Sequence, residues 1–146
     1  MATQILNGLW LGNIIDSKNL EFLEGIDIII NASTDIPFVS NKTKNIRVSV
    51  KDNLEKEQII KLYTYLDNIT EFIYNSLMDN KKIFVHCYAG KQRSATIVCA
   101  YIMKYLNLSY KSSTELMKSK RVVVFTPLPN FDDALRLFED KLKKTN

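Results

Sequence analysis

Scarce residue types crowd into eight consecutive positions of this chain. His86 is the only histidine in 146 residues, and Cys87 is one of two cysteines. Gly90 stands alone after the three glycines of the first 25 residues, and Arg93 is one of four arginines. A cysteine at the head of a loop that runs into a helix N-terminus faces converging backbone N–H groups and the positive end of the helix dipole. Both favour the thiolate, the nucleophilic form. Arg93, six residues on, offers a planar guanidinium fork matched to two phosphate oxygens. Thiolate, amide cradle and arginine clamp together suit attack on a phosphoryl group. The ordinary alternative is a buried cysteine with an unrelated arginine downstream. The adjacent lone histidine, the lone late glycine and the strand–loop–helix setting argue against it.

Such a loop needs elements to hold it. Lys82–His86 contains Ile83, Phe84 and Val85 and reads as a buried strand. From Ser94 through Met103 the chain is apolar nearly all round, the pattern of a helix enclosed by other elements. Upstream, Gln4–Leu6 and Leu9–Leu11 flank Asn7-Gly8, a hairpin-turn dipeptide. Asp16 or Ser17 is placed to cap a short helix that carries Leu20, Phe22 and Leu23 and stops at Gly25. Ile26–Asn31 reads as a buried strand, and Ile46–Val50 as a strand with Ile46, Val48 and Val50 on one face. Ile59, Leu62, Leu66, Ile69, Ile73 and Leu77 recur at helical spacing and predict a long helix. Ser109 can cap a helix through Lys118, and Asn130 another carrying Phe131, Leu135, Phe138 and Leu142. Strands alternating with helices predict the α/β class: one domain over residues 1–146, with a central, mostly parallel sheet flanked by helices. The loop then falls at the carboxyl end of a strand, where open α/β sheets bind ligands.

Apolar residues make up 46% and charged residues 25%, which fits neither a disordered chain nor a membrane protein. No apolar run reaches the roughly 18–20 residues that span a bilayer. Met1-Ala2-Thr3-Gln4 lacks a basic region followed by an apolar stretch, so no secretory signal is expected, and Ala2 excludes N-myristoylation. Two cysteines make no disulfide framework, and a reducing, cytoplasmic setting is expected, with nuclear entry open to so small a chain. A net charge of +4 and a pI near 9.0 attract anions without choosing among phosphoproteins, lipids and nucleic acids. No basic stripe with interleaved aromatics is present, so no stable nucleic-acid complex is expected.

His86 together with Cys87–Thr96 resembles the phosphate-binding loop of the cysteine-based protein tyrosine phosphatase superfamily, His-Cys-x5-Arg-Ser/Thr. The stretch is most similar to the dual-specificity branch. Gly8-Leu9-Trp10-Leu11-Gly12-Asn13 is similar to that family's opening Gly-Leu-Tyr-Leu-Gly, and Gly25 through Asn31 to its next strand. Phe72-Ile73 keeps the family's usual distance before His86-Cys87. The resemblance implies the tyrosine-phosphatase fold and a reaction without metal or cofactor. Phosphotyrosine and phosphoserine/phosphothreonine in a protein partner would be hydrolysed through a phosphocysteine intermediate. It implies Cys87 as nucleophile, with Arg93 and the backbone amides of Tyr88, Ala89, Gly90, Lys91 and Gln92 holding the phosphate. Asp52, at the end of Val48-Ser49-Val50-Lys51-Asp52, matches the family's acid, which later serves as base. Ser94 would assist breakdown of the intermediate, and His86 would order the loop and support the thiolate. Small family members lack the segments that deepen the pocket of tyrosine-specific enzymes, which implies a shallow cleft.

Rival readings attach to several of these residues. Asp52 could be a solvated or capping carboxylate, with Glu55 as the substitute acid; Asp67 lies inside the helical pattern. Ser94 could be an N-cap, and the two roles can coexist. Cys99 falls about 9 Å along the helix from Arg93 and reads as core, as does Trp10. One histidine and two separated cysteines do not make a tetrahedral metal site. Lys91 and Gln92 replace the family's common aliphatic–Ser pair, and Thr126-Pro127-Leu128-Pro129-Asn130 reads as a displaced version of its Pro-Asn pair. Phosphoinositide phosphatases of the superfamily often carry lysine in this loop. A phosphoinositide or RNA 5′-phosphate substrate therefore stays open, as does a non-catalytic phosphate-binding module.

Overall fold

The computed structural model, which describes residues 1–145, joins five short strands into one sheet. They are β1 (Thr3–Leu6), β2 (Leu9–Gly12), β3 (Ile28–Asn31), β4 (Lys44–Arg47) and β5 (Ile83–His86), in the order β1-β2-β5-β3-β4. β1 and β2 form the antiparallel hairpin around Asn7-Gly8, where Gly8 takes φ +83°, and all other pairs are parallel. Helices α1 (Leu20–Leu23), α2 (Lys56–Met78), α3 (Arg93–Tyr105), α4 (Tyr110–Lys120) and α5 (Asp132–Thr145) complete the domain.

Strand alternation divides the apolar side chains between two faces. Leu9, Leu11, Ile28, Ile30, Ile83 and Val85 join the main core with the buried stripes of α2–α5. Ile29 and Phe84 face the other way, packing with Trp10 and with Phe22 and Leu23 of α1. Because both faces are covered, β3 and β5 are buried at every position and read as unbroken apolar runs. Helix α3 is enclosed by its neighbours, with Ser94 through Met103 all buried, as its all-round apolar sequence predicts. β5 is central, and its last residue, His86, lies beside Gly12 of β2 and Asn31 of β3. The loop that follows therefore emerges from the middle of the sheet's carboxyl edge.

Four local expectations are corrected. The strand expected at Ile46–Val50 lies at Lys44–Arg47. Val48 and Val50 are buried, but β3 ends at Asn31, so only Val48 N–H still finds a β3 carbonyl and the Val50 carbonyl turns elsewhere. Asp16 and Ser17 do not cap α1. Asp16 exchanges side chain–backbone bonds with Asn13, and Asn19 Oδ1 accepts from Phe22 N–H as the cap. Ser94 is the second residue of α3 rather than its cap. Asn130 does not cap α5, because the helix starts at Asp132 and Asn130 lies one residue before the cap position; its Nδ2 donates to Asp52 instead. Ser109, by contrast, caps α4 by accepting from Ser112 N–H at 3.0 Å.

Candidate active site

Between β5 and α3 the backbone turns its carbonyls outward. The Tyr88 carbonyl accepts from Ile14 N–H at 2.9 Å, the Gly90 carbonyl from Arg121 Nε at 3.0 Å, and the Lys91 carbonyl from Phe125 N–H at 2.8 Å. The Gln92 carbonyl is taken up by Thr96 through both N–H and hydroxyl. With the oxygens claimed from outside, the N–H groups face the loop's interior. None of the N–H groups of Tyr88–Arg93 donates to a backbone acceptor among the described residues. A ring of free donors at the start of a helix is an anion cradle. Gly90 makes it possible: its φ is +67°, and an added Cβ would lie 2.6 Å from the Gly12 carbonyl oxygen. A side chain there would push the loop off β2.

Cys87 lies at the bottom of this cradle, buried, with Sγ 3.0 Å from Ser94 Oγ. Toward a thiolate, that hydroxyl is a donor. Arg93, on the first turn of α3, gives Nη1 to the Val50 carbonyl at 2.9 Å. Its Nε is buried and has no hydrogen-bond partner among the described residues, a donor held ready for an acceptor. The Val50 bond also draws the 48–52 segment against the loop, which brings Asp52 to the rim. Asp52 is exposed, and its Oδ1 accepts from Asn130 Nδ2 at 2.8 Å. Glu55 occupies the N-cap position of α2 and its side chain makes no capping bond. Asp67 is remote in function, paired with Lys104 and Lys141. The loop thus gathers Cys87, Arg93, Ser94 and the amide ring, with Asp52 beside it. Tyr88 and Ala89 are exposed and Lys91 half-buried, so these present backbone to the cradle and side chains to solvent.

His86 meets the loop at the Cys87 carbonyl. Its ring is buried, stacks on Phe84 and contacts the Cys87 carbonyl at 3.4 Å through Nδ1; the Sγ partner is Ser94. A carbonyl can only accept, so Nδ1 carries the proton. Burial pulls the His86 pKa down to about 4, with Arg47 and Arg93 adding repulsion against the imidazolium and the carbonyl bond opposing. The folded protein therefore refuses a proton that the unfolded chain accepts below the ordinary value of 6.5. Stability should fall as pH drops from about 6.5 toward about 4 and level off below that, by on the order of 3 kcal/mol in total. Urea midpoints at pH 7, 6 and 5, above most carboxylate titration, should show this slope in the wild type and lose it in His86→Gln. Equal slopes in both proteins would contradict it.

Two further residues support the loop. Arg121 is buried behind it, and besides Gly90 it binds the Met1 carbonyl at 2.7 Å and Thr3 Oγ1 at 2.9 Å. Its scarcity among the cations was a usable signal, but nothing local marked what it would hold. The resemblance gives Gln92 only a backbone role, yet its side chain is the buried link to residues 126–130. Cys99 is core: burial pushes its thiol up to about 12, and both cysteines are free. No described helix is long and apolar enough to cross a membrane.

Known proteins are similar to this chain over most of its length. The profile of the family described as dual specificity phosphatase, catalytic domain, matches residues 9–141. A protein of Invertebrate iridescent virus 6 named as a tyrosine phosphatase is 34% identical over 145 residues, covering 99% of this chain and 96% of the viral one. Human dual specificity protein phosphatase 16 is 36% identical over 146 residues, covering 97% of this chain; the match spans only 21% of that longer protein. The crystal structure of DUSP15 superposes with a TM-score of 0.85 at 29% identity, covering 99% of this chain and 93% of that one.

Proposed function

The chain belongs to the dual specificity phosphatase catalytic-domain family and is a dual-specificity protein phosphatase, and from that premise we propose that Cys87 is its nucleophile and Asp52 its acid. The observation that carries this reading is the inverted loop, with the Tyr88, Gly90 and Lys91 carbonyls claimed from outside and the loop N–H groups and Arg93 Nε without partners among the described residues. Such donors cost no reorganisation when charge develops on the transferring phosphoryl oxygens.

The chemistry proceeds in two displacements. The Cys87 thiolate attacks phosphorus as the ester P–O bond breaks, and Asp52 gives its proton to the departing oxygen. Arg93 and the loop amides hold the equatorial oxygens throughout. Asp52, now a carboxylate, takes a proton from water, which attacks phosphorus as the S–P bond breaks. The Ser94 hydroxyl donates to the departing thiolate, consistent with its 3.0 Å contact. The Asn130 bond occupies Oδ1 of Asp52, leaving Oδ2 to carry the transferable proton.

The substrates are phosphotyrosyl and phosphoseryl or phosphothreonyl proteins. A nucleophilic thiol with no disulfide partner suits a reducing compartment. The test is a panel of phosphotyrosyl and phosphothreonyl peptides, an inositol lipid and a 5′-triphosphorylated RNA, each run with wild type, Asp52→Asn and Glu55→Gln. Peptides should be turned over fastest. Asp52→Asn should cost about 10²–10⁴-fold on peptides, whose leaving oxygens are poor, and flatten the basic limb of the rate profile. Glu55→Gln should do little. Faster turnover of lipid or RNA would move the substrate assignment, and the reverse mutant pattern would move the acid to Glu55.

A further inference from the structure

The Gln92 side chain points away from the phosphate cradle, yet it is more fully bonded than its neighbours on the loop. It is 5% exposed, and all three of its contacts reach the segment before α5. Nε2 donates to the carbonyls of Thr126 at 3.1 Å and Leu128 at 2.9 Å, and Oε1 accepts from Asn130 N–H at 2.9 Å. Both amide hydrogens and the carbonyl are therefore spent on one segment, which fixes its position against the loop. Asn130 then passes that position on, because its Nδ2 holds Asp52 Oδ1 at 2.8 Å. Asp52 itself is exposed and sits on a segment with no strand ladder, so little else sets its carboxyl direction. A serine at position 92, the residue common in related loops, is too short to make these three bonds.

We propose that Gln92 is a positioning residue for the general acid, acting through Asn130 to aim the Asp52 carboxyl at the leaving oxygen. The proposal rests on Asp52 being the acid. It separates two functions of one loop residue: the backbone N–H of Gln92 serves the phosphate, and its side chain serves the proton.

The distinguishing variant is Gln92→Met, which keeps the side-chain length and apolar packing and removes all three bonds. Asn130→Ala, which is neutral, keeps the Gln92 bonds and removes only the tie to Asp52 Oδ1, provides the same comparison should the methionine variant not fold. Each is measured as kcat/KM on a phosphotyrosyl peptide and on an aryl phosphate with a good leaving group, across pH, with inorganic phosphate as competing inhibitor. A misaimed acid should cost about tenfold or more on the peptide and flatten the basic limb. The activated ester should lose several-fold less than the peptide, and phosphate inhibition should weaken less than the peptide rate falls, because the side chain and not the backbone N–H is changed. In an Asp52→Asn background, Gln92→Met should add no further leaving-group dependence. Equal losses on both esters, phosphate inhibition weakened as much as the peptide rate falls, or additivity with Asp52→Asn would overturn the role of Gln92 and leave the acid assignment standing. If Asp52→Asn alone shows no leaving-group dependence, the acid assignment fails and the Gln92 proposal with it.

Discussion

Cys87→Ser is expected to abolish turnover while leaving oxyanion binding in place. Serine is nearly isosteric with cysteine, and the Sγ position is buried against Ser94 Oγ at 3.0 Å, so the substitution fits without moving the loop. The serine hydroxyl is far less acidic than a thiol, and among the described residues the Sγ position has no hydrogen-bond partner but Ser94 Oγ, which is not a base. His86, the one imidazole in the chain, gives Nδ1 to the Cys87 carbonyl and contacts no Sγ. The nucleophile is thus lost, and loss of a covalent nucleophile costs on the order of 10⁴–10⁶-fold. The free amides of Tyr88–Arg93 and Arg93 Nε are untouched, so phosphate should still bind with an affinity close to that of the wild type. Vanadate, which mimics the five-coordinate phosphorus of the transition state, should inhibit the wild type, and a chelator should not. Activity lost in chelator and restored by a divalent ion would refute the cysteine mechanism in favour of a metal one. Residual turnover in Cys87→Ser above about a hundredth of wild type would also contradict it.

What the sequence made legible was decided by whether a feature is local. The loop from His86 to Ser94 was readable because rare residues at fixed spacing fall between a buried strand and a buried helix, and the structure keeps that arrangement. The long helix α2 and enclosed helix α3 were readable for the same reason, since period and polarity are written in consecutive residues. The end of β4 was not. Val48 and Val50 alternate as strand residues do because both are buried, but the Val50 carbonyl answers to Arg93, 43 positions away. Asn130 looked like a helix cap because capping is what a local view offers such a residue; its partner Asp52 lies 78 positions upstream. Arg121 ties the Gly90 loop to the Met1 carbonyl across 120 positions, and no spacing rule encodes such a bond. The loop and the elements on either side of it are written in consecutive residues, whereas the bonds that tie it to Val50, Asn130 and Met1 are long-range, so the sequence shows the former and hides the latter.

Arg93 is where those two kinds of information meet, and Arg93→Lys should be nearly as damaging as Arg93→Ala. The guanidinium has two tasks in this structure. Nη1 donates to the Val50 carbonyl at 2.9 Å and holds the Asp52 segment against the loop, while the buried Nε has no partner among the described residues and is free for an acceptor. A planar fork of five donors can do both at once; a lysine ammonium is a single point on a flexible stem and must choose. If it pairs with phosphate, the Val50 tie is lost and Asp52 is released. If it pairs with Val50, the equatorial oxygens lose their clamp. Arginines that stabilise a transferring phosphoryl group are worth about 10³–10⁵-fold, so Arg93→Ala should lose roughly that much in kcat/KM. Arg93→Lys should recover no more than about tenfold of it. Phosphate inhibition should weaken in both variants, unlike in Cys87→Ser, because the anion's own ligand has been removed. Retention of more than about half of wild-type activity by Arg93→Lys would mean that charge alone suffices and that the two-point geometry plays no part.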